Sequence, residues 1–365
     1  MRLLARALAT VWAGGLGLTA LWVTTPLLGG ASLPAGDTGA PAGSGQPSVA
    51  LGEELAPDRY APQAPAGALP PAAGWRTPGE ADAELAVIPP AEWLPPTWFP
   101  AGEQILVLGA IDQRGPDSGP SVRSRSAMVV DLDAGTVLYE KNADTPRPVA
   151  SITKLVAALA LVSSEPDLDR EFCIGAEQYP TRSGARSRLS TGVCLSGWDV
   201  LGAALVASDN RAALGMAAAA GMHLEEFVGR MNRVSMELGM TRSSWVDPSG
   251  LEDENLSTAR DIAKATVAVA SHPTLSPVAS APYWDIWRSN RTNARRLFTT
   301  DRMSGREDIQ VEAAKTGYTD TARYGFTTVI RTDSGRHLAI TLLGADGKMT
   351  RWADVSRILD WVERA

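Results

Sequence analysis

Apolar and polar positions change rhythm several times along this chain, and each change marks an element. SAMVVDLDAGTVLYEKN, from Ser126, reads as a strand, an Asp-Ala-Gly turn and a second strand. An almost wholly apolar helical stretch follows in RPVASITKLVAALALV, Arg147 to Val162. Two short strand-like pieces, EFCIG and GVCLS, then flank a turn rich in Gly, Ser and Arg. Helical patterns run from about Trp198 into ALVASDNRAALGMAAAAG and through the amphipathic HLEEFVGRMNRVSMELG, which Gly239 closes. STARDIAKATVAVA predicts another helix, capped by Ser257 or Thr258. VEAAKTGY, YGFTTVIR and HLAITLLG read as strands, the last two joined by the hairpin connection TDSGR. The amphipathic TRWADVSRILDWVERA closes the chain. Strands at both ends with helices between predict an α+β fold: one antiparallel sheet, helices packed on it, and a mainly helical lobe inserted in the middle.

The globular rhythm begins near residue 121, which sets 121–365 apart as the folded domain. Residues 1–31 have the layout of an export segment: Arg2 and Arg6, then no charge from Ala7 to Gly36. Gly29 and Ala31 suit a cleavage site, while the apolar run over 7–28 is also long enough to stay as a membrane tether. Both readings send the rest of the protein out of the cytoplasm, to the periplasm or its equivalent. Residues 32–120 form a linker, because 14 of the 25 prolines fall within 31–104 and APQAPAGALPPAAG can sustain neither helix nor strand. Trp93, Trp98 and Phe99 near its end are expected to dock on the folded body rather than on a partner.

A net charge of −7 without any basic block gives no footprint for nucleic acid. The three histidines and two cysteines lie far apart and lack metal-ligand spacing, so neither a metal nor a cofactor is implied. In an oxidising compartment Cys173 and Cys194 are expected to pair rather than remain buried thiols, adding roughly 3 kcal/mol for a loop of this size.

One residue breaks the apolar pattern at a cost. Lys154 stands three positions after Ser151 on the opening turn of a helix that should be buried, within side-chain reach of that serine. A buried lysine is unfavourable unless paired or neutral. Ser151-Ile152-Thr153-Lys154 is followed by Ser208-Asp209-Asn210 in an interhelical loop and Lys315-Thr316-Gly317 in a strand. The trio is the S-x-x-K, S-D-N and K-T-G set of acyl-transferring serine enzymes. Serine is a poor nucleophile without a base, no histidine is placed to serve, and Lys154 can do so if burial and the charge of Lys315 lower its pKa. Asn210 and Ser208 would hydrogen-bond Lys154 and a substrate amide, with Ser208 relaying a proton to the leaving amine. The backbone N–H groups of Ser151 and Tyr318 would form the oxyanion hole. Lys315 and Thr316 would attract a carboxylate, and Gly317 would let substrate lie as an added strand. Taken singly, Ser151 and Ser208-Asp209 could be helix caps and KTGY a strand entering a turn; three such coincidences in order are improbable.

With these residues in view the sequence resembles the exported low-molecular-mass penicillin-binding proteins, the serine D,D-peptidases of peptidoglycan, over about residues 121–365. MVVDLDAGTVLYEKN, SDNRAA, ELGMTRSSWVDPSGL, NLSTARDIA and KTGYTDTA carry the likeness. Within the family, LLGADGKMTRWADVSRILDWVE is similar to the D-alanyl-D-alanine endopeptidase branch, and the short stretch after Lys315-Thr316-Gly317 leaves no room for the extra β-domain of typical carboxypeptidases. The resemblance implies a β-lactamase/transpeptidase-like fold, D-Ala-containing peptidoglycan peptides as substrate and β-lactams as covalent inhibitors. Carboxypeptidase activity is the alternative, ahead of a β-lactamase or a non-catalytic wall-binding protein. One departure stands at TARYGF, where the family often has Ala-Gly-Arg-Cys; Arg323 there could bind a carboxylate. Glu165, in SSEPDLDR, resembles the deacylating glutamate of β-lactamases but precedes Ser208-Asp209-Asn210 and reads as the end of the Ser151 helix.

Overall fold

Alternate residues of Ser126–Asp131 (β1) serve two cores: Met128 and Val130 enter one, Ala127 and Val129 the other, as the two-residue period of a strand requires. A computed structural model, describing residues 119–175, 187–287 and 294–364, shows how this alternation is used. Asp131 accepts a hydrogen bond from Ala134 N–H in the turn, Gly135 takes φ +65°, and the chain returns as Thr136–Lys141 (β2). Two residues, Arg147–Pro148 (β3), lead into a 3-10 turn at Ala150–Ile152 and the helix Thr153–Val162 (α1). Glu171–Cys173 (β4) and Cys194–Ser196 (β5) pair with Cys173 opposite Cys194, and a disulfide joins the two cysteines.

The stretch from Trp198 does not run as one helix. It divides into Gly197–Leu205 (α2), capped by Ser196, and Asn210–Ala219 (α3), capped by Asp209, whose carboxylate accepts from Arg211 and Ala212 N–H. Leu224–Glu237 (α4) ends at Gly239, φ +67°. Leu256–Ser257 (β6) pairs with β3, and Thr258 caps Ala259–Ser271 (α5). After Ser276–Ala279 (α6) comes a hairpin, Tyr283–Ile286 (β7) with Arg295–Phe298 (β8). Ile309–Thr319 (β9), Arg323–Thr332 (β10), His337–Ala345 (β11) and Thr350–Val362 (α7) complete the chain.

The main sheet is antiparallel, in the order β2-β1-β11-β10-β9. Helix α5 and the lobe of α1 to α4 fill one face; α7 covers the other, with Trp352 against Phe326 at 4.7 Å between ring centres. This is the α+β architecture the sequence predicts. It leaves β9 at an edge beside the Ser151 turn. The export segment, the tether over 7–28 and Trp93, Trp98 and Phe99 lie outside the described residues; no helix among the described residues is long and apolar enough to cross a membrane.

Candidate active site

Glycine is required at two points that bring backbone segments together around Ser151. A Cβ on Gly317 would stand 2.6 Å from the Val149 carbonyl oxygen and 3.2 Å from Ile152 Cγ1. The close approach this glycine permits is thus that of the Ser151 turn against β9, where the sequence suggested only a substrate strand. From another side, a Cβ on Gly250 would stand 2.0 Å from the Ala150 oxygen, and Gly250 takes φ +78°. Pressed between them, Ala150 holds φ +51°, and Ser151 sits in a 3-10 turn just before α1 rather than in the helix proper.

Lys154 is completely buried. Its ammonium donates to Ser151 Oγ at 2.8 Å, to Asn210 Oδ1 at 2.9 Å and to the Ser249 carbonyl. Burial lowers its pKa to about 8, against the nearby charges of Asp247 and Asp209, which pull it back up. That differs from the expected arrangement, in which Lys315 shares the lowering. The repulsion between the two lysines tells on Lys315 instead. Burial first, then Lys154 and Arg351, hold it well below the ordinary lysine value.

Lys315 donates to Ser208 Oγ at 2.8 Å and to the Thr316 carbonyl at 3.1 Å. Ser208 owes its position to the break between α2 and α3, where it takes φ +58°. Asp209 does not face the cleft; it is fully buried and accepts from Ser187 Oγ at 2.6 Å as well as from the start of α3. Thr316 Oγ1 lies 2.6 Å from Thr300 Oγ1, and the exposed Tyr318 ring stacks on Tyr324 with centres 4.2 Å apart. Ser151, Ser208, Thr316, Gly317 and Tyr318 open onto one cleft of about 560 Å³, with Lys154, Asn210 and Lys315 bonded directly behind them.

The same cleft is lined by Arg302, Lys348 and Arg351. Arg351 is buried at the start of α7 and donates to the carbonyls of Gly317 at 3.2 Å and Gly325 at 2.9 Å, tying β9 to β10; burial brings its pKa down to about 10. None of the three histidines lines this cleft. Glu165 lies beyond the end of α1 on exposed backbone, outside the cleft lining.

Comparison with known proteins gives this arrangement its kin. The profile of the D-alanyl-D-alanine carboxypeptidase family matches residues 114–347. The chain belongs to that family. It is a serine hydrolase by that membership. The chain is 33% identical over 247 residues to the D-alanyl-D-alanine endopeptidase of Escherichia coli (strain K12), covering 67% of this chain and 79% of that one. To the D-alanyl-D-alanine endopeptidase of Pseudomonas aeruginosa it is 34% identical over 241 residues, with 66% and 77% covered. Among solved structures it is similar to the D-alanyl-D-alanine carboxypeptidase of Mycobacterium tuberculosis H37Rv, at 25% identity and a TM-score of 0.60, over 73% of this chain and 96% of that one.

A further left-handed position in this D-alanyl-D-alanine carboxypeptidase family member lies at the start of β10. Arg323, which stands where the family resemblance implied glycine, takes φ +60°. Its guanidinium lies 3.7 Å from Asp346, and Tyr324 rather than Arg323 lines the cleft. Sequence reasoning also passed over Arg302, Lys348, Arg351 and the Asp247–Gly250 loop. VDPSGL is visible as a motif, but nothing in it says that a backbone carbonyl will meet Lys154.

Proposed function

We propose that this protein is an exported serine D-alanyl-D-alanine endopeptidase that hydrolyses the D-Ala–X bond of peptidoglycan cross-links through a Ser151 acyl-enzyme. The observation that carries the reading is the 2.8 Å contact between Ser151 Oγ and the amine of a lysine buried deeply enough to titrate near pH 8. With the two relatives named as endopeptidases, it supports a nucleophile and base aimed at that substrate. Lys154 in its neutral form takes the Ser151 proton as Oγ attacks the D-Ala carbonyl carbon. The Ser151 and Tyr318 backbone N–H groups receive the developing oxyanion. As the C–N bond breaks, Ser208 passes its proton to the leaving amine and takes in its place the one Lys154 holds, leaving Lys154 neutral again, with Asn210 holding the Lys154 amine in register. Water then attacks the ester, its proton returns through Lys154, and the D-Ala carboxylate leaves.

The peptide would lie as an added strand on β9, one of the two edge strands of the sheet and the one beside Ser151. Lys315 is too deeply buried to be the main attractor of a free carboxylate. Arg302, Lys348 and Arg351 supply that field, and an arriving carboxylate would favour the charged form of Lys315 against the burial that disfavours it. The second reading, release of a terminal D-Ala from the same site, is favoured by the family's description. We assign residues 121–365 to the catalytic domain, and residues 1–31 and 32–120 to an export segment and a linker, with action outside the cytoplasm. Incubation with a fluorescent penicillin tests the chemistry. Intact-mass and peptide analysis should place one adduct on Ser151, and Ser151→Ala should carry none; folded wild-type protein without an adduct refutes it.

A further inference from the structure

We propose that Asp247 is a positioning residue for the general base: its carboxylate fixes the Ser249 carbonyl against the Lys154 amine, so that the amine's lone pair faces Ser151. This rests on reading Lys154 as the base. A neutral amine has two hydrogens and one lone pair. Of the three partners of Lys154, the Ser249 carbonyl and Asn210 Oδ1 can only accept, and Ser151 Oγ alone can also donate. Once Lys154 loses a proton, its two hydrogens satisfy the two acceptors, and the lone pair is left for the serine hydroxyl. Without the Ser249 carbonyl, rotation about the Cε–Nζ bond would free that lone pair to point elsewhere.

Ser249 lies on a loop outside helix and strand, and Asp247 is what shapes it. One carboxylate oxygen accepts from the Ser249 N–H at 3.2 Å and from the Ser249 hydroxyl; the other accepts from Gly250 N–H at 2.9 Å and from the Asn255 side-chain amide. Asn255, fully buried, accepts in return from Val246 N–H at 2.8 Å. The described partners of the Asp247 carboxylate are all donors, so an amide in its place would set N–H against N–H. The loop also packs through Gly250 onto the Ala150 oxygen, leaving it no room to shift without moving the Ser151 turn. Asp247 itself does not line the cleft.

The charge gives a readout that a purely structural role would not. Asp247 and Asp209 favour the protonated amine, and Lys315 is the cation on the adjoining strand. Asp247→Asn removes one of the two anions while Lys154 stays buried, so the pH at which acylation reaches half its plateau moves down. A loop that simply opened would hydrate Lys154 and move it up, towards ordinary lysine. The experiment measures penicillin acylation by the full-length wild type and Asp247→Asn from pH 6 to 10, separating the acylation rate constant from non-covalent affinity.

The expected result is a plateau rate constant lower by tenfold or more, a dissociation constant within twofold, and a half-rate pH below wild type. A rate constant within twofold of wild type overturns the proposal. So does an upward shift of the half-rate pH. Should Asp247→Asn not fold, Asn255→Ala, which removes one donor and keeps the charge, is expected to slow acylation threefold or more; an unchanged rate overturns the proposal. If wild type forms no adduct, the proposed function fails by itself. Nitrogen-15 NMR titration of the Lys154 amine then tests the clamp separately: a lower midpoint in Asp247→Asn supports it, and an unchanged or higher one overturns it.

Discussion

Replacing Lys154 by arginine removes the base while keeping a cation. With a pKa of about 8, roughly a tenth of the wild-type amines are neutral at pH 7, against about one in three thousand for a lysine at 10.5. Burial therefore raises the supply of base ~300-fold at neutral pH, equivalent to ~3.4 kcal/mol. A guanidinium cannot give up its proton in this range. Acylation by penicillin should fall by about 10²–10⁴, the usual share of general-base catalysis. Wild-type acylation should rise about tenfold per pH unit below pH 7 and flatten above pH 8, while the residual rate of Lys154→Arg shows no such limb. Rapid-quench labelling across pH 6 to 9 measures both. A flat wild-type profile, or a variant within tenfold of wild type at pH 8, refutes the reasoning. The same burial has a stability counterpart. The folded pKa lies below the unfolded one, so the unfolded chain holds more protons between pH 8 and 10.5. The penalty of burying this ammonium is therefore full below pH 8 and relieved as pH rises through that window.

Gly317→Ala forces a Cβ to within 2.6 Å of the Val149 carbonyl, a backbone atom that cannot turn aside; a loss of about 1–3 kcal/mol in urea unfolding is expected, with slower acylation as the Ser151 turn shifts. Unchanged stability and rate would show that the turn has slack. Arg323→Gly relieves the left-handed backbone at φ +60° and gives up only an exposed ion pair, so stability should rise by up to about 1 kcal/mol with acylation unchanged; a fall would show that the Asp346 contact outweighs the strain. Reducing the Cys173–Cys194 disulfide, with a sequence separation of 21, should lower unfolding free energy by about 3 kcal/mol, and denaturant curves identical with and without reductant would contradict this.

The short apolar runs of β1, β10 and β11, the caps and the glycine stops made most of the sheet and helices legible, because each depends on residues close in sequence. The trio of motifs was legible for a different reason: Ser151, Ser208 and Lys315 carry chemistry in their side chains, wherever the chain later brings them. The β7–β8 hairpin was not seen. Its outer face carries Tyr283 and Phe298 beside the Asp285–Arg296 ion pair, and its inner face Trp284, Ile286 and Leu297, so large apolar side chains on both faces blur the contrast that marks a half-buried strand. The break between α2 and α3 was legible as the interhelical loop that carries Ser208-Asp209-Asn210, but not its bounds, because Val206 and Ala207 continue the apolar helical pattern, nor the φ of +58° at Ser208. The Ser249 carbonyl could not be read at all, since every residue has one. Gly317 was read for close approach by a substrate strand, and its approach to the Ser151 turn, which depends on residues distant in sequence, was not.

The most direct test gives purified cross-linked muropeptide dimers and pentapeptide monomers, in parallel, to the wild type and to Ser151→Ala, with products resolved by mass spectrometry. The account predicts that the wild type converts dimers to monomers by cutting at the D-Ala–X bond, and that Ser151→Ala leaves both substrates intact. Dimers left untouched while pentapeptides lose D-Ala would contradict the endopeptidase assignment and make this a carboxypeptidase; cleavage of dimers by Ser151→Ala would contradict the acyl-enzyme itself.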